Sequence, residues 1–198
     1  RVGDIKYKDI NGDGRINDQD RVPLAHGSVP PRLMFGFGGE FRYNKFTVGL
    51  MFRGTGSAEY FRAGTGYNDG WIPFYNGNRG NVLSIFKDKS IYWSPEIPNP
   101  NAMFPRLSYG NNENNSQLST FWKADGSYIR FQELNLAYNL DNLPFFKPMG
   151  ISSINIQLVA NNLFTIDKVK YFDPEQARYN GGAYPIPARY SLQFYVNF

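Results

Sequence analysis

Oxygen-bearing side chains recur in the segment 9–20, near the start of the chain. They occupy positions 1, 3, 5, 9 and 12 of this segment, and Gly14 occupies position 6, where a calcium-binding loop turns sharply. The predicted ligands are Asp9, Asn11, Asp13, Arg15 through its carbonyl oxygen, Asn17 and Asp20. Hard oxygen ligands suit Ca²⁺ better than Zn²⁺, so one Ca²⁺ ion is the predicted cofactor. The alternative is a turn held by hydrogen bonds of its own Asn and Asp side chains.

Aromatic residues are frequent in the long segment 55–125, where they are interspersed with Asn and Gly. Aromatic rings can stack on sugars, so Trp71, Tyr75 and Trp93 are candidate contacts for a substrate or a partner. The alternative is that these aromatics give a long surface loop a small core of its own.

Residue types that carry covalent catalysis do not form a recognisable pattern. His26 is the only histidine, and no Ser or Cys pattern accompanies it from which a triad could be built. Glu40, Glu59, Glu96 and Glu133 have no spacing that singles out an acid/base pair. The sequence therefore predicts that the protein is not an enzyme.

The composition favours strands separated by turns. Aromatic residues make up 17% of the chain although the mean hydropathy is -0.48, and the chain holds 20 Gly and 13 Pro. No apolar run approaches the ~18 residues of a helical membrane span. The net charge of +4 arises from scattered Lys and Arg without a basic block, which argues against nucleic acid as a partner.

The last ten residues, 189–198, alternate strictly between apolar and polar side chains. The apolar set is Tyr190, Leu192, Phe194, Val196 and Phe198. At ~3.3 Å per residue and a tilt near ~45°, ten residues span roughly 24 Å, close to the ~25 Å apolar band of an outer-membrane barrel. Phe198 occupies the place of the terminal aromatic residue by which such barrels are recognised for assembly.

The same alternation predicts four further strands upstream. They lie around 33–43, 46–52, 134–140 and 154–160, and the first two form a hairpin whose turn is Asn44-Lys45. Strict alternation also extends the third of these strands to Arg130 and Gln132, which then share one face at its far end. We expect this polar end to project beyond the bilayer.

Loop lengths test whether these strands cross a membrane. If Phe198 lies at the periplasmic side, the short connections 44–45 and 141–150 are periplasmic and the long segments 55–125 and 163–188 are extracellular, as in barrels. Phe41, Tyr43, Phe46, Tyr138 and Phe198 then form a periplasmic aromatic rim. The predicted fold class is all-β, an antiparallel transmembrane β-barrel segment. Five strands cannot close a barrel, so the missing strands must come from the same parent protein.

A succession of short motifs resembles the C-terminal portion of SusC/RagA-type TonB-dependent outer-membrane receptors of the Bacteroidetes. The resemblance covers nearly the whole chain. It includes Gly3-Asp4-Ile5-Lys6-Tyr7, Tyr92-Trp93-Ser94-Pro95-Glu96, Pro105-Arg106-Leu107, Phe121-Trp122, Asp125-Gly126-Ser127-Tyr128-Ile129-Arg130, Asn161-Asn162-Leu163-Phe164, Asp173-Pro174-Glu175 and Tyr184-Pro185.

The resemblance implies a barrel of roughly 22 strands with an N-terminal plug. It further implies import of glycans or peptides, energy supplied by TonB through a preceding part of the receptor, and a SusD-like surface lipoprotein as partner. Residues 1–32 are then an extracellular loop with the EF-hand-like acidic segment, and 33–198 are the C-terminal strands and loops of the barrel. The predicted location is the Gram-negative outer membrane, in contact with its lipid.

A protein of a different class is also compatible with the sequence. A secreted β-sandwich that binds carbohydrate would also be rich in strands, with the acidic loop as a calcium-stabilised support and exposed Trp residues as stacking platforms. A dockerin-like adhesion module is disfavoured because dockerins use paired loop-helix units and the sequence has one such loop.

Overall fold

The computed structural model describes residues 1–23, 31–62, 84–110, 112–141, 144–169, 173–179 and 184–198. The chain divides into two compact units. The sheet unit comprises Pro30–Ala58, Asp125–Glu175 and Tyr184–Phe198, and the loop unit comprises Arg1–Val29, Glu59–Ala124 and Gln176–Ala183. In the described ranges, no helix is long and apolar enough to cross a membrane.

Seven strands are present in the described residues. They are β1 Leu33–Tyr43, β2 Phe46–Gly56, β3 Glu59–Phe61, β4 Lys123–Asp125, β5 Tyr128–Asp141, β6 Ser153–Asp167 and β7 Arg189–Asn197. The sheet unit is one antiparallel sheet in the order β1-β2-β5-β6-β7, so the five predicted strands are confirmed. The predicted turn between β1 and β2 is also present, with Asn44 at a left-handed φ of 52°, which Asn tolerates better than most residues.

The pairing register gives the sheet one apolar and one polar face, because residues directly opposite each other on neighbouring strands point to the same side. The apolar face carries, strand by strand, Phe37 and Phe41, Val48 and Leu50, Leu134 and Leu136, Ile156 and Leu158, and Leu192 and Phe194. The polar face carries Glu40, Arg53, Glu133, Asn135, Gln157, Thr165 and Gln193.

The apolar face is open to its surroundings. Phe41 is 66% exposed, Leu192 is 59% exposed and Phe194 is 60% exposed, although each is a large apolar side chain in a regular strand. A face of this size without cover is unusual for a soluble monomer and indicates an apolar environment or partner.

β2 and β6 end later than the sequence predicts, at Gly56 and Asp167, and β-bulges interrupt the alternation of β5 and β6. The register shifts between Phe131 and Glu133 in β5, and the β5–β6 pairing skips a further residue near Asn162, which has a left-handed φ of 55°. The prediction that Arg130 shares the face of the apolar alternation is therefore wrong. The bulge at Gln132 absorbs one residue, so Arg130 lies on the polar face while Phe131 stays on the apolar one.

The bulges keep a row of aromatic rings in phase across four strands of the apolar face. Phe37 stacks on Phe52 with ring centroids 5.2 Å apart, Phe52 stacks on Phe131 at 4.6 Å, and Phe131 meets Phe164 edge-on at 5.5 Å. A second group lies at the opposite end of the same face, where Phe46 contacts Tyr138 at 4.4 Å. In β2, β5 and β6 the band between the two groups is aliphatic.

The loop unit has its own core. Phe61, Ile91, Phe104 and Trp122 form it, and Phe104 and Trp122 are each 1% exposed. The strands β3 and β4 form a two-stranded sheet, and the described helices of the chain are all short: α1 Glu113–Ser116 and the 3-10 turns Asp18–Asp20, Ser84–Lys87, Lys147–Met149 and Pro174–Tyr179. Of the two interpretations of the aromatic segment, the small core is therefore the one found for its described residues.

Residues 1–29 belong to the loop unit together with 59–124. The carboxylate of Asp4 connects the start of the chain to the rest of this unit. Asp4 accepts hydrogen bonds from Arg106 at 3.1 Å and from Asn115 at 2.9 Å. Burial raises the pKa of Asp4, but hydrogen bonds from Arg106 and Asn115 act in the opposite direction and lower it. The division at 32/33 stays a prediction, and the first segment of the loop unit ends at Val29.

Gly3 lies directly under the ring of Trp93. Its φ is +87°, and a Cβ atom there would lie 2.2 Å from Cε3 of Trp93. Gly12 has a similar φ of +77°, but a Cβ atom there would meet nothing within 4 Å. A side chain at either position would strain the backbone, but only a side chain at Gly3 would also clash with a neighbour.

We expect Gly3→Ala to destabilise the loop unit by several kcal/mol, because it adds a clash with the Trp93 ring to the ~1 kcal/mol strain of a positive φ. Gly12→Ala should show the strain without the clash. Limited proteolysis of the full-length protein against temperature measures both, and equal effects of the two variants would contradict the packing of Trp93 on Gly3.

Candidate functional site

The polar face of the sheet unit concentrates the hydrogen-bonding groups of the strands. An open groove of about 460 Å³ lies on it where β1, β2 and β5 meet, with Gly36, Gly38 and Gly49 as its floor and Glu133 and Asn135 beside them. Gly38 is required by the sheet, because a Cβ atom there would lie 2.3 Å from the carbonyl oxygen of Leu50. Backbone, carboxylate and amide groups line the groove together with Met51.

A buried ion-pair cluster forms around Arg130, which is 2% exposed. One terminal nitrogen of Arg130 lies 2.6 and 2.7 Å from the two carboxylate oxygens of Asp173, and its Nε lies 3.1 Å from Oε1 of Glu175. The same Oε1 accepts a hydrogen bond of 2.7 Å from Arg53. The ring of Tyr128 lies 5.8 Å from the Arg130 guanidinium carbon. Two cations and two anions therefore neutralise each other within one cluster.

The contacts within this cluster differ in quality. The Nε atoms of Arg53 and Arg130 are buried without a hydrogen-bond partner among the described residues. For Arg130 this holds although Glu175 is within ion-pair distance, because the angle at Nε does not meet the requirement for a hydrogen bond. The pair of short bonds to Asp173 is thus the principal attachment of Arg130, and Glu175 acts mainly on Arg53.

Sequence reasoning missed this cluster. Arg130 and Asp173 belong to two of the motifs that carry the family resemblance, but they are 43 positions apart and neither motif indicates its partner. Their opposite charges were the one available signal.

The acidic loop 9–20 is closed by its own side chains. Asp9 accepts hydrogen bonds from the backbone N–H groups of Gly12 at 2.6 Å and Gly14 at 2.8 Å. Asp20 accepts from Ile10 at 2.7 Å and Asn17 at 2.9 Å, and these backbone hydrogen bonds lower its pKa. Both carboxylates therefore hold the loop in shape from its two ends.

Metal binding by this loop stays a prediction. Within the ranges that the structure describes, no three His, Cys, Asp or Glu side chains lie close enough together to hold a metal ion. A Ca²⁺ ion would therefore depend on Asn11, Asn17 and the carbonyl oxygen of Arg15 as well as on carboxylates.

The predicted aromatic contacts are divided between described and undescribed parts of the chain. Trp93 is half-buried, covers Gly3 and donates its backbone N–H to Phe104, so packing is its evident role. Trp71 and Tyr75 lie outside the described residues, as does His26. Phe198 follows β7 and is 86% exposed. Its role as an assembly signal stays a prediction.

Comparison with known proteins gives one consistent result, although no family model matches the chain. The chain is 31% identical over 209 residues to TonB-dependent receptor P26 of Formosa agariphila, with 100% of the chain and 20% of the relative covered. It is 25% identical over 169 residues to TonB-dependent receptor P3 of the same organism, with 85% of the chain and 15% of the relative covered.

Solved structures of the RagAB peptide importer share the fold. The importer in its open-open state gives a TM-score of 0.58 at 20% identity and covers 85% of this chain and 17% of that one. A structure of the RagAB peptide transporter gives 0.56 at 20% identity, covering 82% of this chain and 17% of that one. The chain spans at most about a fifth of the length of these proteins.

The relatives found by sequence and those found by structure agree with the succession of motifs and with the antiparallel sheet, and we conclude that the chain belongs to the TonB-dependent receptor family.

Proposed function

We propose that the sheet unit is part of the wall of an outer-membrane importer, with its apolar face toward lipid and its polar face toward the transport path. The uncovered apolar face is the observation that carries this proposal. Its aromatic row through Phe37, Phe52, Phe131 and Phe164 and its second aromatic group at Phe46 and Tyr138 flank an aliphatic band. This arrangement matches the aromatic girdles of transmembrane barrels.

The edges of the sheet support pairing with further strands of the same parent protein. In the described part of the chain, β1 pairs with β2 on one side and β7 pairs with β6 on one side. Lipid offers no hydrogen bonds to the other sides, so both edges need partner strands inside a membrane. A closed barrel of roughly 22 strands would supply them.

The rest of the proposed function concerns the whole receptor. TonB would act through a part of the receptor outside this chain, and the loops at the outer ends of the strands would meet the cargo, a SusD-like lipoprotein, or both. The cargo class is glycan or peptide, and the fold shared with the RagAB peptide importer supports peptide. The work is transport across the Gram-negative outer membrane of a member of the Bacteroidetes, without a covalent step.

The competing interpretation is a secreted, calcium-stabilised β-sandwich that binds carbohydrate. In a sandwich, a second sheet covers the apolar face at a distance of ~10 Å. Phe41, Tyr190 and Phe194 are instead 60% exposed or more. This exposure favours the membrane wall.

Adjacent residues of β5 provide a matched test of this orientation in the full-length receptor. Leu136→Arg should destabilise the assembled barrel by about 2–4 kcal/mol, because it places a charge against lipid. Asn135→Arg, one residue away on the polar face, should be tolerated. The measurement is the amount of folded receptor in the outer-membrane fraction, judged by its heat-modifiable migration in detergent gels. Recovery of the unmodified protein as a soluble species would contradict the membrane wall.

We also propose that the loop 9–20 binds one Ca²⁺ ion as a structural support of the loop unit. The backbone hydrogen bonds of Asp9 and Asp20 support this role, because they hold a loop of suitable spacing in a turned conformation before any ion arrives.

Variants of two carboxylates in this loop distinguish the loss of a Ca²⁺ ligand from the loss of a negative charge. Asp13→Asn should weaken Ca²⁺ binding to the full-length protein about tenfold, because it removes a charged ligand and retains an oxygen that can accept from Arg15. Asp18→Asn removes the same charge at a position outside the ligand set and should leave affinity nearly unchanged. Calorimetric titration measures both. Absence of Ca²⁺ binding by this loop at millimolar Ca²⁺ would contradict the proposal.

A further inference from the structure

Two arginines face each other across neighbouring strands of the polar face. Arg53 of β2 and Arg130 of β5 are direct cross-strand partners. Like charges in this position destabilise a sheet unless something compensates them. Guanidinium groups are also strong, geometrically suited binding groups for carboxylate, sulfate and phosphate. Left uncompensated, this pair would attract anionic cargo.

The compensation comes from the segment that follows β6. Asp173 and Glu175 are separated by Pro174, and together they reach both arginines: Asp173 contacts Arg130 through two oxygens, and Glu175 contacts Arg53 at 2.7 Å. Asp173 also accepts the backbone N–H of Glu175 at 3.0 Å, which fixes the two carboxylates relative to each other. The segment thus occupies the positions that an anionic ligand would take.

We propose that Asp173 and Glu175 are specificity-determining residues, which neutralise Arg53 and Arg130 so that the polar face does not select anionic cargo at this level. The proposal rests on the proposed function, because it requires the polar face to line an aqueous path. Without the two carboxylates the same wall would present two cations, one buried and one 39% exposed at its side chain.

Gly36 offers a reporter position beside Arg53. It is the cross-strand partner of Arg53 in β1 and faces the open groove. A Cβ atom at Gly36 would meet its nearest neighbour, the carbonyl oxygen of Phe52, at an ordinary 3.5 Å, so a cysteine fits. The chain has no natural cysteine.

The test is the labelling rate of Gly36→Cys in the full-length receptor in outer-membrane vesicles, with a sulfonate and a trimethylammonium methanethiosulfonate reagent. Glu175→Gln should raise the ratio of anionic to cationic labelling roughly fivefold, because it leaves the charge of Arg53 uncompensated at short range. The amide oxygen can still accept a hydrogen bond from Arg53, which favours correct folding. Adding Arg53→Gln to Glu175→Gln should return the ratio to its starting value.

Two further variants distinguish neutralisation of Arg53 by Glu175 from a general effect of charge on the labelling ratio. Arg53→Gln by itself should shift the ratio in the opposite direction, which keeps the proposal testable if Glu175→Gln fails to assemble. Asp141→Asn removes a carboxylate of the same face that pairs with Lys45 at the opposite end of the sheet, outside the groove lining, and it should leave the ratio unchanged.

The outcomes distinguish the role of Asp173 and Glu175 from the proposed membrane wall on which it rests. Labelling by both reagents with a ratio insensitive to Glu175 and Arg53 would overturn the masking role and leave the membrane wall standing. Failure of both reagents to reach Gly36→Cys would overturn the aqueous path, and masking with it.

Discussion

The antiparallel hydrogen-bond ladder is the constraint on which the sheet unit depends. Each cross-strand pair fixes two residues to one face, so the register from β1 to β7 decides which side chains lie on the apolar face and which lie on the polar one. A slip of one residue in any strand would exchange its faces completely. The separation of apolar and polar residues across five strands is therefore a property of register as much as of composition.

Strands whose alternation is unbroken were predictable from the sequence. β1 and β7 were found close to their predicted bounds, since a two-residue period identifies both the strand and its faces. The outer half of β5 was not, because the bulge at Gln132 shifts the phase and periodicity has no means of recognising an added residue. The aromatic row through Phe131 and Phe164 was missed for the same reason.

Contacts between distant segments were the second limit of sequence reasoning. The acidic loop was recognised from local spacing, and its Asx-type hydrogen bonds are likewise local. By contrast, the attachment of Asp4 to Arg106 and that of Asp173 to Arg130 join residues 102 and 43 positions apart. One sequence contains the charges of such pairs but not their proximity. Both attachments hold irregular segments in place by means of carboxylates, where strand propensity has no influence.

Because of the bulges, strands with different numbers of residues place their side chains on the same face. Leu50 and Phe52 are two residues apart in β2, the corresponding Leu134 and Phe131 are three apart in β5, and Ala160 and Phe164 are four apart in β6, yet all six side chains stay on one face. The sheet therefore accommodates different numbers of residues at this level without turning any strand over. A residue added or removed at this level would change the size of a bulge, and the pairing on the other side of the bulge would keep its phase.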